Sequence, residues 1–268
     1  MPIRLTEQAQ RIMHQLGWLK AVIFSVSSDN AGFNQRISED HEKRKAKALA
    51  ELKEWILPHL GPGERWEDKV SYDGEDPAVE NQPYTLQLER MLGEFGICRA
   101  VDLYHCYLRR VLELALRREP ARLREWTPSL KLKPEELTSF EKKLNSPTTI
   151  SKAVFELFRK NEGVWRNLVH DFLGVFKPSE VDVFVEVRNR LVHDLGEDRE
   201  GRIVRLAATD SQWMPKIVDG SIEVNSDDGY QALETMFKDI QFMDFHLANS
   251  YSLPTKPYEQ PTIRRKLN

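Results

Sequence analysis

A chain of 268 residues has room for one large domain, or one domain with an added subdomain. With 40% apolar and 30% charged residues it can bury a core and is not a disordered chain. A formal net charge of −3 and a pI of about 6.2 exclude a protein that coats nucleic acid nonspecifically, though not one with a local basic patch. No run reaches the roughly 20 apolar residues of a membrane span. The stretch Leu16–Val26 is broken by Lys20 and followed by no cleavage pattern, so the expected address is cytoplasmic and away from the membrane.

In chain order, residues 1–60 read as an accessory segment of two helices. Thr6 is placed to cap the first, which carries Ile12, Met13, Leu16 and Leu19 on one side. The second runs from about Glu39 to Leu60, solvated in its first half and apolar at Leu49, Leu52, Trp55 and Ile56. Residues 61–83, rich in Gly, Pro and acids, read as a linker. A long helix is expected over 85–118, because Ile97, Val101, Tyr104, Leu108, Val111 and Ala115 recur at steps of four and three. Ala100, Tyr107 and Leu114 add a second stripe, the pattern of a helix central to a bundle.

Two shorter helices follow over 134–160, broken at Asn145-Ser146-Pro147, and then an amphipathic helix over 162–174. The next begins at Ser179, an expected N-cap with Asp182 three residues on, and stops at Gly196. Arg202–Leu206 and Lys216–Val224 read as short β segments. A last helix spans about 227–249, and the tail 251–268, with three prolines and a basic end, reads as extended. Cys98 and Cys106 lie about 12 Å apart on one helix, too far for a disulfide. With no CxxC pair, they read as two buried thiols, and no metal or cofactor is expected.

The segment Phe184-Val-Glu-Val-Arg-Asn-Arg-Leu-Val-His-Asp-Leu-Gly196 holds the strongest physical anomaly. On an ideal helix Val181, Phe184, Val185, Leu191, Val192 and Leu195 form one apolar arc, and Arg188 falls near its middle. A guanidinium there must be paired or open onto a polar cleft. Asn189, Glu186 and His193 lie together on the neighbouring face, with His193 in the last turn, where helix carbonyls favour a cationic imidazole. The alternative is structural: Arg188 pairs with a buried acid such as Glu113 or Asp102, and His193 only caps the helix.

Arg188-Asn-Arg-Leu-Val-His193 resembles the Arg-x4–6-His motif of HEPN domains, with Asn189 as the polar residue that commonly follows the Arg. The order of helices is similar too, over about residues 84–250. The resemblance implies a mainly α, HEPN-like helical bundle with N-terminal accessory helices and a short β-hairpin insertion after the motif helix. It implies a homodimer with two motif helices lining a shared cleft, and a metal-independent endoribonuclease that leaves a 2′,3′-cyclic phosphate. Arg188 then holds the scissile phosphate, His193 acts as general base or acid, and Asn189 orients one of them. About 140° separates Arg188 from His193 on an ideal helix, which suits a cleft shared by two helices. A toxin branch of the family carries Tyr two residues after the His; here Leu195 stands in that place.

Growth arrest or antiviral defence is the expected setting, with RNA as substrate and an antitoxin or regulatory protein as a further partner. The competing reading is a non-catalytic HEPN-like module that binds RNA or a protein. Arg109, Arg110, Arg117 and Arg118 belong to a basic stretch that either contacts RNA phosphates or forms a solvated helix face. Trp126, Trp165 and Trp213 read as core or loop anchors, and His170-Asp171 as surface.

Overall fold

A computed structural model describes residues 3–28, 84–146, 149–160, 162–198, 200–210 and 213–259, with isolated positions between 47 and 65. A short strand β1 (Arg4–Leu5) leads into α1 (Glu7–Ser28); a 3-10 turn lies at Leu57–His59. Then come α2 (Tyr84–Arg118), α3 (Arg122–Leu130), α4 (Pro134–Leu144), α5 (Ile150–Lys160) and α6 (Glu162–Leu173). Helices α7 (Ser179–His193) and α8 (Arg202–Asp210), strands β2 (Lys216–Val218) and β3 (Ser221–Glu223), helix α9 (Ser226–Tyr251) and strand β4 (Lys256–Pro257) complete the described residues. The chain is mainly helical, and none of these helices is long and apolar enough to cross a membrane.

Helix α2 is the axis of the bundle. Its apolar residues are buried on several sides, and α9 and α1 pack on it and on each other. Small residues set the α2–α9 crossing. A Cβ built on Gly96 would stand 2.7 Å from the Cα of Gly229, and one on Gly229 would stand 2.9 Å from the Leu92 carbonyl oxygen. Neighbouring backbone therefore fills the space that a side chain needs.

Ala9, Met13, Leu16 and Ile23 of α1 belong to the same continuous hydrophobic core as α2 and α9. Over residues 4–28, then, the N-terminal segment packs as a layer on the same core. Thr6 caps α1 as expected: its Oγ1 accepts from the Ala9 N–H at 3.3 Å and donates to Asp244 Oδ1 at 2.7 Å. The expected helix Glu39–Leu60, but for isolated positions, and the expected 61–83 linker lie outside the described residues.

The tail is extended at 256–257, but as a strand. Lys256–Pro257 pairs antiparallel with Arg4–Leu5, and the Tyr258 N–H donates to the Ile3 carbonyl at 2.8 Å.

Two other expectations are corrected. Arg202–Leu206 is helix, not strand: Ile203 and Ala207 are buried one turn apart, and Asp198 accepts from the N–H groups of Arg202 and Ile203 at 2.9 and 3.1 Å. A five-residue apolar run does not tell these periods apart. The expected hairpin over 216–224 does form, as β2–β3 turned by Asp219 and Gly220 at φ +50° and +82°. Ser179 is the first helical residue and not the cap, which is Pro178. Asp182, instead of closing a capping box, accepts from Arg166 at 3.0 Å and from Lys177.

Candidate functional site

Helix α7 lies along α2, and the two run antiparallel. Asp182 acts on Tyr104, and one helical stretch later Arg188 acts on Cys98 and pairs with Asp102. Of the apolar arc foreseen for α7, Val181, Phe184 and Val185 are buried, joined by Val183 and Val187, whereas Leu191 is half-buried and Val192 and Leu195 are exposed. Phe184 stacks on Trp213 with centroids 4.1 Å apart, which fixes α7 against the chain that follows it.

Arg188 leaves this arc at the edge of the seam. Its Nη2 donates to Asp102 Oδ1 at 3.0 Å and its Nη1 to Asn189 Oδ1 at 3.1 Å, while its Nε is buried without a partner. The side chains of Arg188 and Asp102 remain 23% and 40% exposed. Of the two acids weighed from sequence, Asp102 takes the pair. Cys98 sits beside it as a half-buried free thiol; burial pushes that thiol up, against the pull of the Arg188 charge.

His193 is the last residue of α7 and is exposed, with no hydrogen bond to another described residue. Arg188 and Asn189 are thus bonded to each other, and His193, one turn beyond Asn189 on α7, is bonded to neither. Glu186, expected on the His193 face, is buried and takes Arg190 at 3.1 Å and Arg202 at 3.5 Å, tying α7 to α8.

The end of α7 is held firmly. The N–H groups of Asp194 and Gly196 both reach the Arg190 carbonyl at 2.9 Å, and the Ile222 N–H of the hairpin donates to the Gly196 carbonyl at 2.8 Å. Leu195 lies in the left-handed region at φ +52° with its side chain 89% exposed. An L residue there costs about 1 kcal/mol, and this one gains no burial in return. Val192 on α7, and Met91 and Phe95 on α2, are exposed too. The antiparallel run places these four apolar side chains at one end of the Arg188–Asp102 pair.

The basic residues of α2 divide. Arg110 and Arg117 are both held by Glu113, at 3.1 and 2.7 Å, and Arg118 is exposed at the helix end. Arg109 lines a cleft between α1, α2 and α5. These residues do not join Arg188 in one surface site.

Sequence reasoning missed the buried polar centre. His170, expected at the surface, is buried. Its Nδ1 donates to the Arg166 carbonyl at 2.7 Å, and its Nε2 faces Asp239 Oδ2 at 2.9 Å. Tyr104 donates to the same oxygen at 2.8 Å, and burial with the Asp239 charge pushes its phenol well up. Asp239 and Asp244, both buried on α9 among Met236, Ile240 and Met243, were the available signal.

No family model, curated protein or solved structure matches this chain.

Proposed function

We propose that the chain is an endoribonuclease of the HEPN type acting as a homodimer, with Arg188, Asn189 and His193 as its working residues. The observation that supports this reading is the position of Arg188: it emerges from an apolar helix face at the edge of the α2–α7 seam, bonded to Asn189, with exposed Val192 and Leu195 beyond it. A second copy packed on that apolar end would set two motif helices side by side and supply the group that a lone His193 lacks.

In the reaction, His193 takes the proton of a ribose 2′-OH, and the 2′-oxygen attacks the adjacent phosphorus. Arg188 stabilises the added negative charge on the phosphoryl oxygens. The P–O5′ bond breaks, and the 5′-oxygen leaves with a proton from the partner's imidazole or from water, giving a 2′,3′-cyclic phosphate and a 5′-hydroxyl. Asp102 is half-exposed, so it can return to water when a phosphate takes the guanidinium from it.

A second reading, a non-catalytic module that binds RNA or a protein, is favoured by one fact: Asp102 already occupies Arg188. Pure protein incubated with mixed RNA in excess EDTA, with end-group analysis of products and light scattering in parallel, separates the two. Cyclic-phosphate ends from a dimer support the nuclease. A monomer that leaves RNA intact rejects it.

A further inference from the structure

The cleft between α1, α2 and α5 has a volume of about 520 Å³, within the range of small-molecule sites. It shares no residue with the Arg188 seam, and its chemistry is different. Ile12, Val154 and Phe155 give it an apolar wall, and Arg109 crosses that wall. The Arg109 guanidinium lies 5.3 Å from the Phe155 ring centroid. Phe155 is still 48% exposed, so much of its ring surface stays open.

Arg109 has no carboxylate partner among the described residues. Its Nη2 rests on the Cys106 sulfur at 3.0 Å, a weak acceptor, and its Nε is 3.4 Å from the His105 carbonyl. Its Nη1 makes no hydrogen bond to another described residue. A half-buried guanidinium of this kind lacks the charged acceptor that such groups normally find.

The other charges around the cleft are accounted for. Arg11 is held by Glu7 at 2.6 Å, and Glu113 takes Arg110, Arg117 and Ser151. Burial pushes the Glu113 carboxyl up, but the bonds from Ser151 and Arg117 outweigh it and hold it below its ordinary range. Of the three guanidiniums that line the cleft, Arg11 and Arg110 are thus already paired with carboxylates, and Arg109 is the one left for a bound anion among the described residues. Gln8 stands exposed at the rim with no hydrogen bond to another described residue, offering both a donor and an acceptor.

We propose that this cleft binds a small organic anion that joins a planar ring to one phosphate, of the nucleoside monophosphate class. The phosphate lies on the free Nη1 edge of Arg109, the ring lies on Phe155, and Gln8 meets the polar edge of the ring. Such a group exists free and at the end of an RNA chain, and both sources present the same chemistry.

The test is calorimetric titration of the full chain with AMP, GMP, CMP and UMP, beside adenosine and inorganic phosphate. At least one mononucleotide should bind saturably, and about tenfold more tightly than either fragment. Arg109→Gln should weaken it by about tenfold or more, through loss of charge-assisted hydrogen bonds. Phe155→Ala should weaken it about fivefold, and Lys216→Gln, on the β2–β3 hairpin and outside the cleft, should leave it unchanged. Circular dichroism confirms folding of each variant; Arg109→Lys and Phe155→Leu replace any that fail. Competition by a 5′-phosphorylated, 2′-O-methyl RNA oligomer marks a chain-end site, and its failure to compete marks a free-nucleotide site. Absence of saturable binding by all four nucleotides at millimolar concentration overturns the proposal. So does binding that survives both cleft substitutions, or binding that Arg188→Ala abolishes. Failure here leaves the RNA-cleavage reading untouched, because that assay does not involve this cleft.

Discussion

Replacing Arg188 with Ala removes a guanidinium 3.0 Å from Asp102 and 3.1 Å from Asn189. At an effective dielectric constant of ~20 the gross attraction of such an ion pair is about 4–5 kcal/mol. The side chains are 23% and 40% exposed, so water screens the pair and rehydrates the carboxylate left behind. The net loss should then be about 1 kcal/mol, nearer a surface pair than the ~3–5 kcal/mol of a fully buried one. For a chain of this size that is a fall in Tm of about 2–4 °C. RNA cleavage in EDTA should fall far more, by ~10²–10³, because the lost group acts on charge that builds in the transition state. Asp102→Asn separates the effects further: it should cost similar stability but lower KM, since it frees Arg188 for phosphate. Tm and cleavage measured on the same protein samples decide the matter. Cleavage unchanged in Arg188→Ala refutes the assignment. A fall in Tm above about 8 °C refutes the energetic reasoning and makes the pair a structural one.

Gly96→Ala forces a Cβ against the Gly229 backbone at 2.7 Å, and urea unfolding should show a loss of about 1–3 kcal/mol; an unchanged midpoint means the α2–α9 crossing yields easily. Deleting residues 255–268 removes β4 and the Tyr258 hydroxyl that donates to the Met13 carbonyl at 3.1 Å. A Tm lower by a few degrees is expected, and an unaltered one would mean the strand contributes nothing. Burial raises the Asp182 carboxyl, but the hydrogen bond from Lys177 and the Arg166 charge outweigh it and hold it below its ordinary value. Its stabilising contribution is therefore complete above about pH 4 and is lost as pH falls through the lowered value. Asp182→Asn should flatten the acid side of the Tm–pH curve, and an equally steep curve would assign that slope to other carboxylates.

The long elements were legible because periodicity reports burial directly: Ile97, Val101, Tyr104 and Leu108 lie inside α2 as their spacing requires. Arg188 was legible for the same reason, as a charge out of place on an apolar face. Its partner was narrowed to two acids but not decided, because helix crossing positions depend on contacts such as Gly96–Gly229 that no local pattern encodes. Arg202–Leu206 misled because a short run fits either period until Asp198 is known to cap it. The division of Arg109 from Arg110 and Arg117 rests on Glu113 and Phe155, which meet them only in three dimensions.

One consequence follows from the bonding of His170. Its Nδ1 hydrogen is committed to a carbonyl, so one more proton must lie between Nε2 and Asp239, whichever of the two carries it. Both groups are almost wholly shielded from water, at 2% and 3% exposure. Neither proton can trade with deuterium until α6, α2 and α9 part. In an NMR spectrum the Nδ1 hydrogen should persist as long as the slowest core amides, giving a side-chain timer for opening of the bundle.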